Sequence, residues 1–127
     1  MLAYRVDALN HDPASAPYLV HILLDEGGEL LGRIGCHAAP DEAGEVEIGY
    51  FVRETARGRG IAGRAVDQFL VWLQDNGVTK LKATARPDNN ASIKILRRRG
   101  FVEVGSQIDP EDGLELVFQR RLGAGIV

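Results

Sequence analysis

At 127 residues, 45% apolar and 26% charged, the chain has the size and composition of one soluble domain with a single core. A formal net charge of −3 leaves no basic surplus for general nucleic-acid affinity, and the single cysteine, Cys36, excludes internal disulfides and a thiolate metal cage. No apolar run reaches the roughly 18 residues of a spanning helix, and no basic-then-apolar segment opens the chain, so neither a membrane span nor a signal peptide is expected, and the cytoplasm is the expected location.

Residues 1–11 place Leu2, Val6 and Leu9 at helical spacing. This predicts a short helix ending before Asp12-Pro13, because the residue preceding a proline avoids the helical region. Residues 18–24 read as an apolar strand, Glu26-Gly27-Gly28 as a hairpin turn and 29–37 as the returning strand. A second turn at 40–44 leads to a third strand at 45–52, with Val46, Ile48, Tyr50 and Val52 as its alternating apolar row. From Gly60 onward, Ile61, Ala65, Val66, Phe69, Leu70 and Leu73 fall on one helical stripe, with Arg64, Asp67, Gln68 and Asp75 away from it. Asn76-Gly77 ends that helix. A strand at 78–86 follows, then a helix at 91–99 with Asn90 as its predicted N-cap and Gly100 as its stop. Strands at 101–105 and 114–122, joined by the polar loop around Asp109-Pro110, complete an α/β mixed sheet within a single domain, 1–127.

Between the third strand and the long helix lies R-G-R-G-I-A-G, residues 57–63. Glycines in a strand-to-helix turn let backbone N–H groups approach a ligand closely, and the N–H groups of a helix's first turn favour a phosphate. A nucleotide P-loop is excluded, since no Gly-Lys-Ser/Thr follows at the required spacing. Gly58, Gly60 and Gly63 match the dinucleotide fingerprint G-x-G-x-x-G. That site also needs an acid about 20 residues on, at the end of the next strand. The strand at 78–86 offers Lys80, Lys82 and Arg86 instead.

The stretch Arg57-x-x-Gly60-x-Ala62 fits R/Q-x-x-G-x-G/A. Together with E-I-G-Y-F-V (47–52), P-D-N-N-A-S (87–92) and R-R-G-F (98–101), it resembles the GNAT superfamily of acyl-CoA-dependent N-acyltransferases. The likeness runs over about residues 29–122 and is nearest to the ribosomal-protein N-terminal acetyltransferase branch. The resemblance implies a GNAT-like fold and acetyl-CoA as acyl donor, with no metal. The family begins with a strand and one or two helices before the hairpin, whereas only 17 residues precede Tyr18 here. The first strand and first helix are therefore expected to be missing, with 1–17 a remnant of the N-terminal helical region and 18–122 the core. That would leave 18–24 as a bare sheet edge, open to pairing in a homodimer.

By the same resemblance, main-chain groups of Tyr50, Phe51 and Val52 would pair with the pantetheine arm. Arg57, Gly58, Arg59, Gly60, Ile61, Ala62 and Gly63 would hold the pyrophosphate, and Asn89 would touch the arm. A protonated amine must lose a proton before attack. Glu47 is the first candidate base, ahead of His37 and Glu115. Many relatives protonate the leaving thiolate with a tyrosine on the second βα helix, but the matching position here is Leu96. Ser92 is the remaining hydroxyl on that helix, a hydrogen-bond donor or an ordinary first-turn residue. Arg97, Arg98 and Arg99 offset the helix dipole, with one of them in reach of the cofactor's nucleotide end. Cys36, Phe69 and Trp72 read as packed side chains. The sequence thus implies an N-acetyltransferase acting on a small-molecule or protein N-terminal amine by direct attack in a ternary complex. An acyl-CoA-binding module without transfer activity is the alternative, and neither nucleic acid nor membrane is an expected partner.

Overall fold

The computed structural model describes residues 3–6 and 16–123. Seven strands form one sheet: β1 (Ala3–Val6), β2 (His21–Leu24), β3 (Leu30–Cys36), β4 (Glu45–Val52), β5 (Lys80–Ala85), β6 (Val102–Asp109) and β7 (Gly113–Arg121). Their spatial order is β1-β2-β3-β4-β5-β7-β6. Every neighbouring pair is antiparallel except β4 and β5, which run parallel. The helices are α1 (Ala16–Leu19), α2 (Ile61–Asp75) and α3 (Asn90–Arg98). This is the expected α/β mixed sheet of a meander, two βα units and a final hairpin.

The front of the chain differs from the expectation in three respects. Residues 3–6, placed in a helix by their spacing, form a strand instead, and the other residues of 1–11 lie outside the described residues. The first strand is therefore present. It pairs with β2 from Ala3↔Leu24 to Val6↔His21, so β2 is not a bare edge and the case for a homodimer through that edge falls away. Tyr18 belongs to α1, and the strand of that segment begins only at His21.

Both long helices end in the same way. Beyond α2, Gly77 (φ 84°) donates to the Gln74 carbonyl and Val78 to the Leu73 carbonyl. Beyond α3, Gly100 (φ 80°) donates to Arg97 and Phe101 to Leu96. These are paired Schellman closures, in which glycine takes the left-handed conformation and the following apolar residue folds back over the last turn. Leu73 with Val78, and Leu96 with Phe101, are accordingly buried. The predicted stripe of α2 lies wholly in the core, on Val46 and Ile48 of β4 and Leu23 and Ile34 further along the sheet. Cys36 is packed among them, and burial pushes its thiol up to about 12, so it is inert at neutral pH.

Arg99 locks α2 to α3. Its Nε donates to the Gly63 carbonyl at 3.1 Å and to Asp67 Oδ1 at 2.8 Å, its Nη2 to Asp67 Oδ2 at 3.2 Å, and its Nη1 to the Ile95 carbonyl at 3.2 Å. The guanidinium fits because residue 63 has no side chain: a Cβ there would lie 2.5 Å from Arg99 Nη2. Gly63→Ala should therefore dislodge Arg99 and lower stability by about 1–2 kcal/mol, the net worth of one or two partly exposed charged hydrogen bonds. A denaturant midpoint equal to wild type would contradict that arrangement.

His21, 1% exposed, sits at the seam of β2 and α2. Its ring meets Phe69 at 4.9 Å and Trp72 at 5.1 Å, Trp72 meets Tyr18 at 5.3 Å, and Nε2 lies 2.6 Å from the Pro17 carbonyl oxygen. Burial lowers its pKa below the ordinary 6.5, outweighing the bond to Pro17. The unfolded chain then binds a proton more readily than the native one. Its contribution should be full above pH 6.5 and be lost as pH falls from there through the lower folded value. Melting temperatures followed across that range should drop in wild type. The drop should be smaller in His21→Gln; an equal drop in both would contradict the assignment.

Candidate active site

The site begins where two parallel strands part. β4 and β5 are paired only from Glu45↔Lys80 to Glu47↔Lys82, after which β5 continues beside β7 alone. On its other side β4 stays paired with β3 as far as Gly32↔Val52. At either end of that ladder His37 N–H donates to the Glu47 carbonyl and Arg53 N–H to the Leu31 carbonyl. Antiparallel alternation then turns the main chain of Gly49 and Phe51 towards β3, and that of Ile48, Tyr50 and Val52 towards the gap. The main-chain groups of Tyr50 and Val52 thus face the gap. The backbone of Phe51 is committed to β3; its side chain is 48% exposed, with Arg57 Cζ 5.4 Å from the ring centre, and the residue is among those lining the adjoining cleft.

A cleft of ≈470 Å³ opens from this gap across the start of α2 and one face of α3. Tyr50, Phe51, Val52, Arg57, Gly58, Gly60, Ile61, Ala62, Gly63, Asn89 and Ser92 all line it. Gly60 (φ 73°) is the N-cap of α2 and supplies no side-chain cap, and the first bond into the helix comes from Arg64 N–H to the Gly60 carbonyl. The N–H groups of Ile61, Ala62 and Gly63 precede that bond and have no intrahelical acceptor. They face a cavity in which the helix dipole favours an anion by about 0.3–1 kcal/mol. Among the described residues four cations line the same cavity, Arg57, Lys94, Arg98 and Arg99, and no acid does, in a chain of net charge −3.

Two of the predicted arginines are hydrogen-bonded to nearby main chain. Arg57 Nε donates to the Val52 carbonyl at 2.9 Å, which ties the loop to the end of β4. Arg59 folds back onto the Thr55 carbonyl at 3.0 Å and is not among the lining residues. Asn89, not Asn90, caps α3: its Oδ1 accepts from Ser92 N–H at 3.1 Å. Lys94 was not read from the sequence, and Arg98 was named there only among three arginines of which one would reach the cofactor's nucleotide end. Their i, i+4 spacing on α3 was the available signal.

The hydroxyl of Ser92 lies 2.7 Å from that of Tyr50, which enters the cleft from β4. Burial holds the phenol above its ordinary value of 10.0, against the opposing pull of the Ser92 bond and the Arg99 charge. Leu96, the position of the relatives' helix tyrosine, is fully buried in the core. Tyr50 was read from sequence only for its backbone. Nothing local pairs its side chain with a serine on a later helix.

Glu47 does not line the cleft. It stands on the opposite face of β4 from Tyr50, at the last rung before the strands part. One carboxylate oxygen lies 3.3 Å from His37 Nδ1 and the other 3.8 Å from Lys82 Nζ, with a quarter of the side chain exposed. Lys82 Nζ also donates to Gln107 Oε1 at 3.4 Å, and Gln107 Nε2 to Glu115 Oε1 at 3.0 Å. The three candidate bases are thus joined by one polar row across β4, β5, β6 and β7, separate from the cleft.

Residues 3–102 match the acetyltransferase (GNAT) domain family. The uncharacterized N-acetyltransferase p20 of Bacillus licheniformis is 30% identical over 91 residues, which cover 71% of this chain and 51% of that protein. YjdG of Bacillus subtilis is 30% identical over 82 residues, 64% and 49% of the two chains. The chain therefore spans about half the length of these curated relatives. Among solved structures, ribosomal-protein-S5-alanine acetyltransferase from Vibrio fischeri shares the fold with a TM-score of 0.76 at 18% identity, over 83% of this chain and 62% of that one. RimJ of Mycobacterium smegmatis, solved in complex with CoA-disulfide, aligns with a TM-score of 0.73 at 25% identity, over 82% and 53%. A splayed β4–β5 pair beside a glycine-capped helix, and a family match over residues 3–102, lead to one conclusion: the chain belongs to the GNAT acetyltransferase family.

Proposed function

We propose that this protein transfers an acetyl group from acetyl-CoA to a primary amine, by direct attack of the amine within a ternary complex. The carrying observation is the all-basic cleft, with unpaired N–H groups at the head of α2 beside a strand whose main chain faces an open gap. The donor set fits the acyl carrier: Ile61, Ala62 and Gly63 would hold its pyrophosphate through N–H groups, with Arg98 and Lys94 at the rim. Tyr50 and Val52 would pair with the amide-rich arm as a neighbouring strand does. Val52 would do so through its N–H, because its carbonyl already accepts from Arg57. Acetyl-CoA would supply the activated thioester.

This chain's contribution is then mainly placement of that arm. Glu47, held between His37 and Lys82 outside the cleft, would take the amine's proton only through an intervening water. The Vibrio fischeri neighbour acts on a ribosomal-protein alanine, and one from Salmonella typhimurium on the N-terminal serine of L7/L12. These names make peptide α-amines the first acceptors to try, alongside small amines.

Calorimetry should show coenzyme A binding to the wild type. Gly60→Val, which forces a β-branched residue to φ near 73°, should weaken binding at least about tenfold with the fold retained. Undiminished affinity would contradict the loop assignment. Acetyl-CoA incubated with peptides beginning in alanine or serine, and with a panel of small amines, should release thiol. Tight binding with no turnover of any acceptor would favour a binding module without transfer activity.

A further inference from the structure

The two helices that wall the cleft are held to the rest of the fold unequally. Seven residues of α2 are buried, from Ile61 to Leu73, whereas Leu96 is the single buried residue of α3. Apolar packing therefore fixes α2 firmly and leaves more of the placement of α3 to polar contacts. Yet the anion site is divided between them. The N–H groups of Ile61, Ala62 and Gly63 belong to α2, and Lys94 and Arg98 belong to α3.

One side chain joins the two halves. The Arg99 guanidinium grips Asp67 side-on, Nε on Oδ1 at 2.8 Å and Nη2 on Oδ2 at 3.2 Å. The same Nε donates to the carbonyl of Gly63, in the anion-facing turn, at 3.1 Å. Nη1 donates to the Ile95 carbonyl on α3 at 3.2 Å, and Arg120 Nη1, from β7, donates to the Arg99 carbonyl at 2.7 Å. Gly63 and Asp67 are one helical turn apart, so carbonyl and carboxylate present a single face to the fork. The Arg99 side chain is 19% exposed, and Asp67 is not among the residues lining the cleft.

We propose that Arg99 and Asp67 are positioning residues for the pyrophosphate of coenzyme A. Their clasp holds the first turn of α2 at a fixed distance from the basic rim on α3. The inference rests on the acyl-CoA reading above and deepens it by separating placement from charge. A divided anion site binds tightly only when its parts already stand in place, because ordering them on binding lowers affinity. The planar guanidinium suits this role, since it meets a carboxylate and two carbonyls at once, whereas an ammonium is a point charge on a flexible stem.

Two substitutions separate placement from charge. Asp67→Ala removes a negative charge near the cavity, so charge alone would leave coenzyme A binding as tightly as before or more so. Loss of placement should instead raise its Kd about tenfold, the scale of losing a bidentate charged hydrogen bond. Arg99→Lys keeps the charge and loses the fork, and its Kd should rise to a similar degree. The double variant should bind no worse than the weaker single one, because the two residues act as a pair. Calorimetry with coenzyme A well below each variant's melting temperature reads this directly and keeps lost stability out of the comparison. In turnover, KM for acetyl-CoA should rise about tenfold with kcat retained. S-acetylpantetheine, which lacks the pyrophosphate, should be used equally well by wild type and both variants.

An Asp67→Ala protein that binds coenzyme A as tightly as wild type, or more tightly, overturns the positioning role. So does an Arg99→Lys protein that matches wild type. An equal loss with S-acetylpantetheine overturns it too, because the defect would then lie outside the pyrophosphate site. Each of these leaves the cofactor reading intact, since wild type still binds. A wild type that ignores coenzyme A sinks that reading, and the role of the clasp with it.

Discussion

The structure turns on the point where β4 and β5 cease to be hydrogen-bonded. Three residue pairs, ending at Glu47↔Lys82, hold two parallel strands together, and beyond them the main chain of Tyr50 and Val52 has no strand partner on that side. An unpaired strand edge inside a sheet is costly unless something satisfies it. Arg57 answers one carbonyl by folding back onto Val52. The remaining polar groups face the cleft, where a chain-like polar ligand could pair with them. The flanking elements keep the gap from collapsing. β7 covers the far side of β5 over six residue pairs, and β3 anchors β4 over five.

Across the gap the two helices are tied to each other and to the sheet by a few polar contacts, not by apolar packing alone. Arg99 spans Gly63, Asp67 and Ile95, Arg120 Nη1 donates to the Arg99 carbonyl at 2.7 Å, and Tyr50 meets Ser92. The cations near the cleft therefore do two kinds of work. Arg57 and Arg99 are engaged in holding the walls, and their charge still acts through a small, low-dielectric space. Among the described residues the side chains of Lys94 and Arg98 make no hydrogen bond or ion pair within the fold, and both line the cleft, where they can meet an anion. A chain of net charge −3 that gathers four cations and no acid around one cavity has separated its charges by position. Composition alone cannot reveal that.

Local regularities were legible in the sequence. The stripe of α2, the alternation of β4 and the glycine stops at Gly77 and Gly100 each depend on residues within a few positions of one another, and each stands where the pattern puts it. Gly58 and Gly60 both take positive φ, a backbone conformation that glycine adopts without strain. Gly63 was found for an incomplete one: its lack of a side chain admits Arg99, 36 residues away. The misses share that character. Residues 3–6 carry helical spacing but are recruited as a strand by the edge of β2, a tertiary override of a weak local signal. The cap of α3 shifts by one residue because Asn89 and Asn90 offer the same oxygen, and only backbone geometry decides between them.

The Tyr50 side chain is the most instructive miss. Parity along β4 puts Tyr50 and Glu47 on opposite faces, so one short strand presents a phenol to the cleft and a carboxylate to the other side of the sheet. Acyl transfer to an amine needs a proton removed from the nucleophile and a proton delivered to the leaving group, and the two groups sit on either side of the carbonyl carbon. On the acyl-transfer reading, a strand edge at the parting of the sheet would hold the acyl arm edge-on, and the alternation of its side chains sets the Glu47 carboxylate and the Tyr50 phenol on opposite sides of the strand. Sequence spacing of three residues between Glu47 and Tyr50 already encodes this separation. What it could not encode is the partner of each: His37 and Lys82 for the carboxylate, and Ser92, from α3 beyond α2 and β5, for the phenol.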